Sequence, residues 1–324
     1  MKVIDMHCDT ILALENDQQG CLRRNELNVD LTKMQQGHYM LQNFAMFVHL
    51  QENEDPCLKA QQLIDRYYNE LEKNKDIIQP VFCYEDILAH EKQGIMSAML
   101  TLEEGAVAKD LSMLRNYYRL GVRMITLTWN FANGIGHPNF QSTGHYEDMF
   151  HINTTDGLTP YGIAYVQEME RLNMIIDVSH LSDAGFYDVY AHTTKPFVAS
   201  HSNARQICRA ARNMSDDMIL KLASRGGVMG INFCGDFLRE KPGGHARSCV
   251  DDMVKHILYI RNLAGIDCIG LGSDFDGIEN NLEIENCGQI SKLHDALLEA
   301  GLTQEEVDKI FYKNVLRVYR EILK

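Results

Sequence analysis

Several separated stretches of this sequence end in side chains that hold metal ions and move protons. The chain opens MKVIDMHCDT, where His7 and Asp9 flank Cys8. IMSAMLTLEE ends in Glu103 and Glu104, NMIIDVSH in His180, PFVASHS carries His201 and CIGLGSDFD carries Asp274. Imidazole and carboxylate donors without thiolate suit zinc, and also manganese or cobalt. A carboxylate can bridge two ions held about 3.5–4 Å apart, and such a pair makes hydroxide available near neutral pH. The chemistry these residue types point to is metal-assisted hydrolysis.

A lone histidine in a strand is more often a packed core residue than a ligand. His7 and Asp9 make a stronger case together. Side chains alternate along a strand, so Val3, Asp5, His7 and Asp9 are expected on one face and Cys8 on the other, packed in the core. Asp5 lies one pleat deeper and is expected to orient a ligand as a hydrogen-bond acceptor. His38, His90, His192, His245, His256 and His294 are expected in solvent-facing loops or helices. His137, His145 and His151 fall in a long insertion and could touch substrate. His49, at the end of the second apolar run, is left unassigned.

These residues need elements that deliver them to one place. Eight apolar runs read as strands: 2–9, 41–49, 95–103, 122–129, 173–180, 196–202, 226–233 and 268–276. Most are separated by amphipathic stretches of helix length, such as 57–74, 157–173 and 215–225, the last opening on Ser215 as an N-cap. Strand alternating with helix predicts a parallel sheet, and eight such units predict a closed (β/α)8 TIM-type barrel. No repeat or linker interrupts the pattern, so residues 1–324 are expected to form a single domain. The strands' C-terminal ends then share one rim, where active sites of this fold lie. The largest insertion, 130–157, follows the fourth run and belongs at that rim. Loops of this length are usually functional.

Bulk properties exclude other classes. The net charge of −14, with no cluster of Lys or Arg, disfavours nucleic acid and anionic membranes as partners. No apolar stretch is long enough to span a bilayer, and no signal peptide or lipid-anchor signal is read. The nine scattered cysteines include no C-x-x-C pair and read as reduced thiols. A cytoplasmic location is therefore expected.

The same segments resemble the renal or membrane dipeptidases, binuclear zinc peptidases of the amidohydrolase-like barrel class. D-M-H-C-D is similar to the family's D-x-H-x-D, and Leu102-Glu103-Glu104-Gly105 to its V-E-G-G. GLTPYG, IIDVSHLS, PFVASHSNAR, ARNMSDD and GLGSDFDG follow in the family's order. The resemblance implies two Zn²⁺ per chain, with Mn²⁺ or Co²⁺ as substitutes. It implies His7 and Asp9 on one ion, His180 and His201 on the other, and Glu103 bridging them. Asp274 would shuttle protons, and Arg212 would grip the free carboxylate of a small peptide. A homodimer is also implied.

Two departures stand out. Where the family often has a histidine after T-L-T, this chain has Trp129, whose indole N–H could replace that donor at the substrate. The family's tyrosine region reads Asn232-Phe233-Cys234 here, with Phe237 further on. The expected activity is hydrolysis of dipeptides with a free C-terminal carboxylate by a metal-bridging hydroxide. The alternatives are a related two-metal barrel hydrolase acting on a cyclic amide, and a barrel that binds metal or peptide without turnover. Cyclic-amide relatives commonly open H-x-H and use a lysine bridge on strand four, which this chain lacks.

Overall fold

The computed structural model describes residues 1–16, 20–139 and 145–324. Residues 140–144 of the long insertion lie outside the described residues. The apolar runs form parallel strands β1 (Val3–Asp5), β2 (Tyr39–Phe47), β4 (Met96–Glu103), β5 (Val122–Thr126), β6 (Ile175–Asp177), β7 (Val198–Ala199), β8 (Val228–Ile231) and β9 (Ile269–Leu271). A further short strand, β3 (Ile78–Pro80), was not among the predicted runs. It is three residues long and holds a proline, so its sequence carries no strand pattern.

The sheet closes on itself. Its order is β2-β1-β9-β8-β7-β6-β5-β4, and β2 also pairs with β4 from Leu41↔Ser97 to Phe47↔Glu103. This is the expected eight-stranded parallel barrel with surrounding helices. β3 adds to β4 at Met96–Ala98, before β5 takes that edge from Leu100 onward. The strands are buried on both faces, which explains why they read as continuous apolar runs rather than alternating ones.

Two apolar layers result. One lies between strands and helices. The other fills the barrel interior, where Ile4, Leu41, Met99, Met124 and Val228 meet Val315, Val318, Tyr319 and Ile322. These last residues belong to the helix Asn314–Ile322, which plugs the barrel floor. The plug carries one polar tie. Asn43 and Tyr319 exchange two hydrogen bonds, Nδ2 to Oη at 2.8 Å and Oη to Oδ1 at 3.0 Å.

The predicted strands run longer than the observed ones. Beyond Asp5 the chain leaves the sheet, because the Asp5 carboxylate accepts the His7 backbone N–H at 3.2 Å. Such a turn is a typical use of aspartate. Asp177 does the same to Ser179 at 3.0 Å, and Asn232 to Cys234 at 2.6 Å. So His7, Asp9, His180, His201 and Asp274 sit on turns above the strands, and only Glu103 ends a strand.

Two of the histidines expected to face solvent are buried, His90 and His256. His256, on the helix Val250–Ala264, accepts the Ala204 N–H at Nδ1 (3.1 Å) and donates Nε2–H to the Leu238 carbonyl (2.9 Å). A single helical histidine carries no mark of this in the sequence. The helix 216–224 does begin at Ser215, whose hydroxyl accepts the Met218 N–H.

Two predictions follow from this packing. Tyr319→Phe leaves the buried Asn43 amide without its partner and should cost about 1–3 kcal/mol, read by chemical denaturation. Burial lowers the His256 pKa from 6.5 to about 4. As pH falls below 6.5 the unfolded chain binds a proton that the folded chain refuses until about pH 4, so stability falls with pH across that window. Between pH 7 and 5 the wild type should lose about 2 kcal/mol more than His256→Gln, measured by denaturation at both pH values.

Candidate metal centre

Glu103 is the centre of the rim. It is the last residue of β4 and is buried. Its Oε2 lies 3.1 Å from His7 Nε2. Its Oε1 lies 3.1 Å from His180 Nε2 and 3.6 Å from His201 Nε2. The two oxygens of one carboxylate therefore face two separate groups. His7 Nε2 is 3.5 Å from Asp9 Oδ2 and 3.8 Å from Asp274 Oδ1. The His7 and His201 rings stack with centroids 3.9 Å apart.

The backs of two rings are fixed. His180 Nδ1 lies 2.9 Å from Asn130 Oδ1, an acceptor only, so Nδ1 carries the proton. His201 Nδ1 lies 2.7 Å from Ser200 Oγ, which in turn donates to Asp177 Oδ2 at 2.5 Å. Both Nε2 atoms then present lone pairs, and they stand 3.0 Å apart beside the Glu103 oxygen. Three lone-pair donors packed so closely repel one another unless a positive charge lies between them. On the other side, both ring nitrogens of His7 and Asp9 Oδ1 are buried without a hydrogen-bond partner. The donor set fits metal ions in two groupings that share Glu103: His7, Asp9, Glu103 and Glu103, His180, His201. His7, His201 and Asp274 form a third grouping within the same reach.

The electrostatics follow from burial of many charges in one place. Burial would raise the Glu103 carboxyl, but His7 and His180 outweigh it and hold the group well below the carboxylate range. Burial lifts Asp9 to about 6 and Asp274 to about 7, with Asp9 and Glu103 adding to the latter. Burial and the nearby Arg212 lower His180 to about 4. The backbone turns left-handed at the same place: His180 has φ 67° and Asp274 φ 65°, a region uncommon for residues other than glycine, though Asp and His enter it more than most. A conformation of this kind persists only where surrounding structure enforces it.

A cavity of about 770 Å³ opens above these residues. Asp9, Glu103, Trp129, His180 and Asp274 line it, and the insertion contributes His145, Tyr146 and Met149. The insertion is pinned beside His180, whose carbonyl accepts the Asn139 N–H at 2.7 Å. His137 and His151 are not on the cavity wall. Arg212 is not on that surface either. It is buried, with Nη2 donating to the His201 carbonyl at 3.0 Å, Nε unpartnered, and its guanidinium carbon 5.5 Å from the Phe237 ring. The wall there is formed by Cys234 and Phe237.

Asp5 is the expected acceptor, but for the His7 backbone N–H rather than for an imidazole. It accepts from the Ser273 N–H (2.9 Å), the Ser273 hydroxyl (2.6 Å) and the His7 N–H, and it touches no imidazole. It ties the ends of β1 and β9 together because the chain has already turned out of the strand. Sequence reasoning left Glu104 without a role. Its buried carboxylate accepts from the Ala106 N–H, the Trp129 N–H and Asn133 Nδ2 at 2.9, 3.1 and 2.5 Å, which fixes the start of the insertion. Two adjacent glutamates at a strand end were the available signal, since neighbours there cannot face the same way. Asn130 and Asp177 were also missed: Asn130 is fifty residues from His180 in sequence, and Asp177 reaches His201 only through Ser200.

The family model described as membrane dipeptidase, peptidase family M19, matches residues 1–324. The chain belongs to the membrane dipeptidase family. Membership makes it a hydrolase of dipeptides in a metallopeptidase family. A relative named uncharacterized dipeptidase C965.12, from Schizosaccharomyces pombe, is 32% identical over 99% of this chain and 80% of its own length. The dipeptidase tcpJ of Claviceps purpurea is 28% identical over 91% of this chain and 69% of its own. Among solved structures, the metallopeptidase dipeptidase AC superposes with a TM-score of 0.89 at 23% identity, covering 100% of this chain and 99% of that one. A metallopeptidase from Rhodobacter sphaeroides, liganded with a phosphinate mimic of L-Ala-D-Ala, gives 0.89 at 22% identity over 99% of both chains. These two likenesses establish the fold. Among the described residues, no helix is long and apolar enough to cross a membrane.

The network behind His201 yields a prediction. Ser200→Ala removes the hydroxyl that fixes its Nδ1 proton and should weaken binding of an added divalent metal ion by about 10–100-fold, read by competition with a chromophoric chelator. Unchanged affinity would show that Ser200 does not set the ring.

Proposed function

We propose that the protein hydrolyses dipeptides bearing a free C-terminal carboxylate, using two divalent ions held at the barrel mouth. The observation that carries this is Glu103, whose two oxygens face His7 on one side and His180 with His201 on the other. His7 and Asp9 would hold one ion, His180 and His201 the second, and Glu103 both. The nitrogen and oxygen donors favour zinc, with manganese or cobalt as substitutes. Bound there, the ions would supply hydroxide near neutral pH and Lewis-acid polarisation of the scissile carbonyl.

The chain's own groups do the rest. Asp274 stands at the His7 side with Oδ1, while Asn232 Nδ2 donates to its Oδ2 at 2.8 Å. That leaves one carboxylate oxygen free to take the proton of the attacking water and pass it to the leaving amine. Arg212 sits in the wall beyond β7 and supplies the positive charge that a terminal carboxylate needs. It would engage the substrate once Phe237 shifts from its guanidinium, and would hold the carboxylate through two parallel N–H donors. The low-dielectric pocket strengthens each of these interactions.

Metal-stripped protein, and the same protein with two equivalents of zinc, should be assayed on L-L and L-D dipeptides beside their C-terminal amides. Zinc-dependent cleavage of the free acids and not the amides is the expected result. No cleavage with zinc demonstrably bound would overturn the reading and favour a cyclic-amide substrate. Asp274→Asn should retain both ions and lose about 10²–10⁴-fold in kcat. Full activity in that variant would remove Asp274 from proton transfer.

A further inference from the structure

The cavity has an apolar side that the chemistry above does not use. Leu12, Phe47 and Trp129 line it, and all three are half-buried with surface left toward the opening. Phe47 ends β2 and pairs in register with Glu103, so its ring borders the metal-ligand set. The Trp129 ring centroid lies 6.1 Å from that of His180 and 5.0 Å from that of Phe47. Behind it, His49 and Phe131 pack against the indole at 5.2 and 5.3 Å, and against each other at 4.8 Å. The indole is therefore held in place from behind. Among the described residues its Nε1–H has no hydrogen-bond partner.

The position of this wall in the barrel says which end of a substrate meets it. Going round the closed sheet, β2 and β7 are four strands apart and so stand across the mouth from one another. Arg212 follows β7 and Phe47 ends β2; Trp129 lies just beyond β5, two strands from β7, and joins the Phe47 side through its ring contact with Phe47. A dipeptide whose carboxylate turns toward Arg212 places its N-terminal residue on the opposite side. The cavity-lining residues there are apolar and aromatic, while Asp9, Asp274, Asp276 and Glu279 collect on the β1 and β9 side, where an ammonium is favoured.

We infer that Leu12, Phe47 and Trp129 form a side-chain subsite that selects dipeptides with a large apolar or aromatic N-terminal residue. The inference rests on the dipeptidase reading above and on Arg212 as the carboxylate end. The side chain stacks on the indole and Phe47, which excludes water from the apolar surface and aligns the scissile bond with Glu103. Trp129 here acts by its ring as a wall, beyond any role of its N–H as a donor.

Zinc-loaded protein should be assayed on Phe-Ala, Leu-Ala, Gly-Ala and Ala-Phe. The expected kcat/KM for Phe-Ala exceeds that for Gly-Ala by about 10–200-fold, the range that apolar pocket contacts supply. The Phe-Ala to Gly-Ala ratio should fall at least about tenfold in Phe47→Ala and in Trp129→Ala, chiefly through KM. A ratio unchanged in both variants, or a preference for Ala-Phe over Phe-Ala, would overturn the subsite. Trp129 is the single tryptophan of the chain, so emission reports on this wall alone. In zinc-loaded Asp274→Asn, Phe-Ala should shift or quench that emission and Gly-Ala should not. If no dipeptide is cleaved, the activity reading fails, yet this titration still decides the subsite. An emission unmoved by saturating Phe-Ala counts against it.

Discussion

One buried carboxylate organises this molecule. Glu103 ends a barrel strand with both oxygens committed, one toward His7 and one toward His180 and His201. Three imidazoles and three carboxylates crowd one buried space, and several of their polar atoms have no hydrogen-bond partner. Added positive charge would relieve this crowding. The open ring nitrogens of His7 and the opposed Nε2 atoms of His180 and His201 are its visible sign. Everything else at the rim serves to hold these groups where they would otherwise repel.

The holding is done by turns rather than by strands. Asp5, Asp177 and Asn232 each fold a carboxylate or amide back on a backbone N–H two residues ahead. That swings the following side chains over the mouth of the barrel. Asp177 and Asn232 also reach sideways, the first through Ser200 to His201 and the second to Asp274. The left-handed backbone at His180 and Asp274 is the local cost of this geometry. It is tolerated because neighbouring strands and the pinned insertion over-determine the position.

The two ends of the barrel divide the work. At the floor, the C-terminal helix drives Val315, Val318, Tyr319 and Ile322 into an apolar interior. That end holds no carboxylate or imidazole cluster among the described residues. At the rim apolar side chains line the cavity on more than one side, with Phe47 and Trp129 beside the imidazole and carboxylate cluster and Phe237 near Arg212. Rigid packing below lets crowded, charged geometry persist above.

Much of this was legible in the sequence. Fully buried parallel strands read as apolar runs, and eight of them alternating with amphipathic stretches specify a closed barrel, so fold class and the rim position of His7, Asp9, Glu103, His180, His201 and Asp274 could be derived. The types of those residues announced metal chemistry, and the order of motifs pointed to the family. The strand ends were read too long, because an aspartate that continues a strand and one that turns the chain out of it look alike until a backbone N–H is seen against it. Which of two adjacent glutamates faces the site, which histidine of a helix is buried, and whether Arg212 lies on the cavity surface or in its wall were decided by tertiary packing. These depend on partners tens to hundreds of residues away, such as Ser273 for Asp5 or Ala204 for His256, and local sequence carries no information about a partner that only folding brings near.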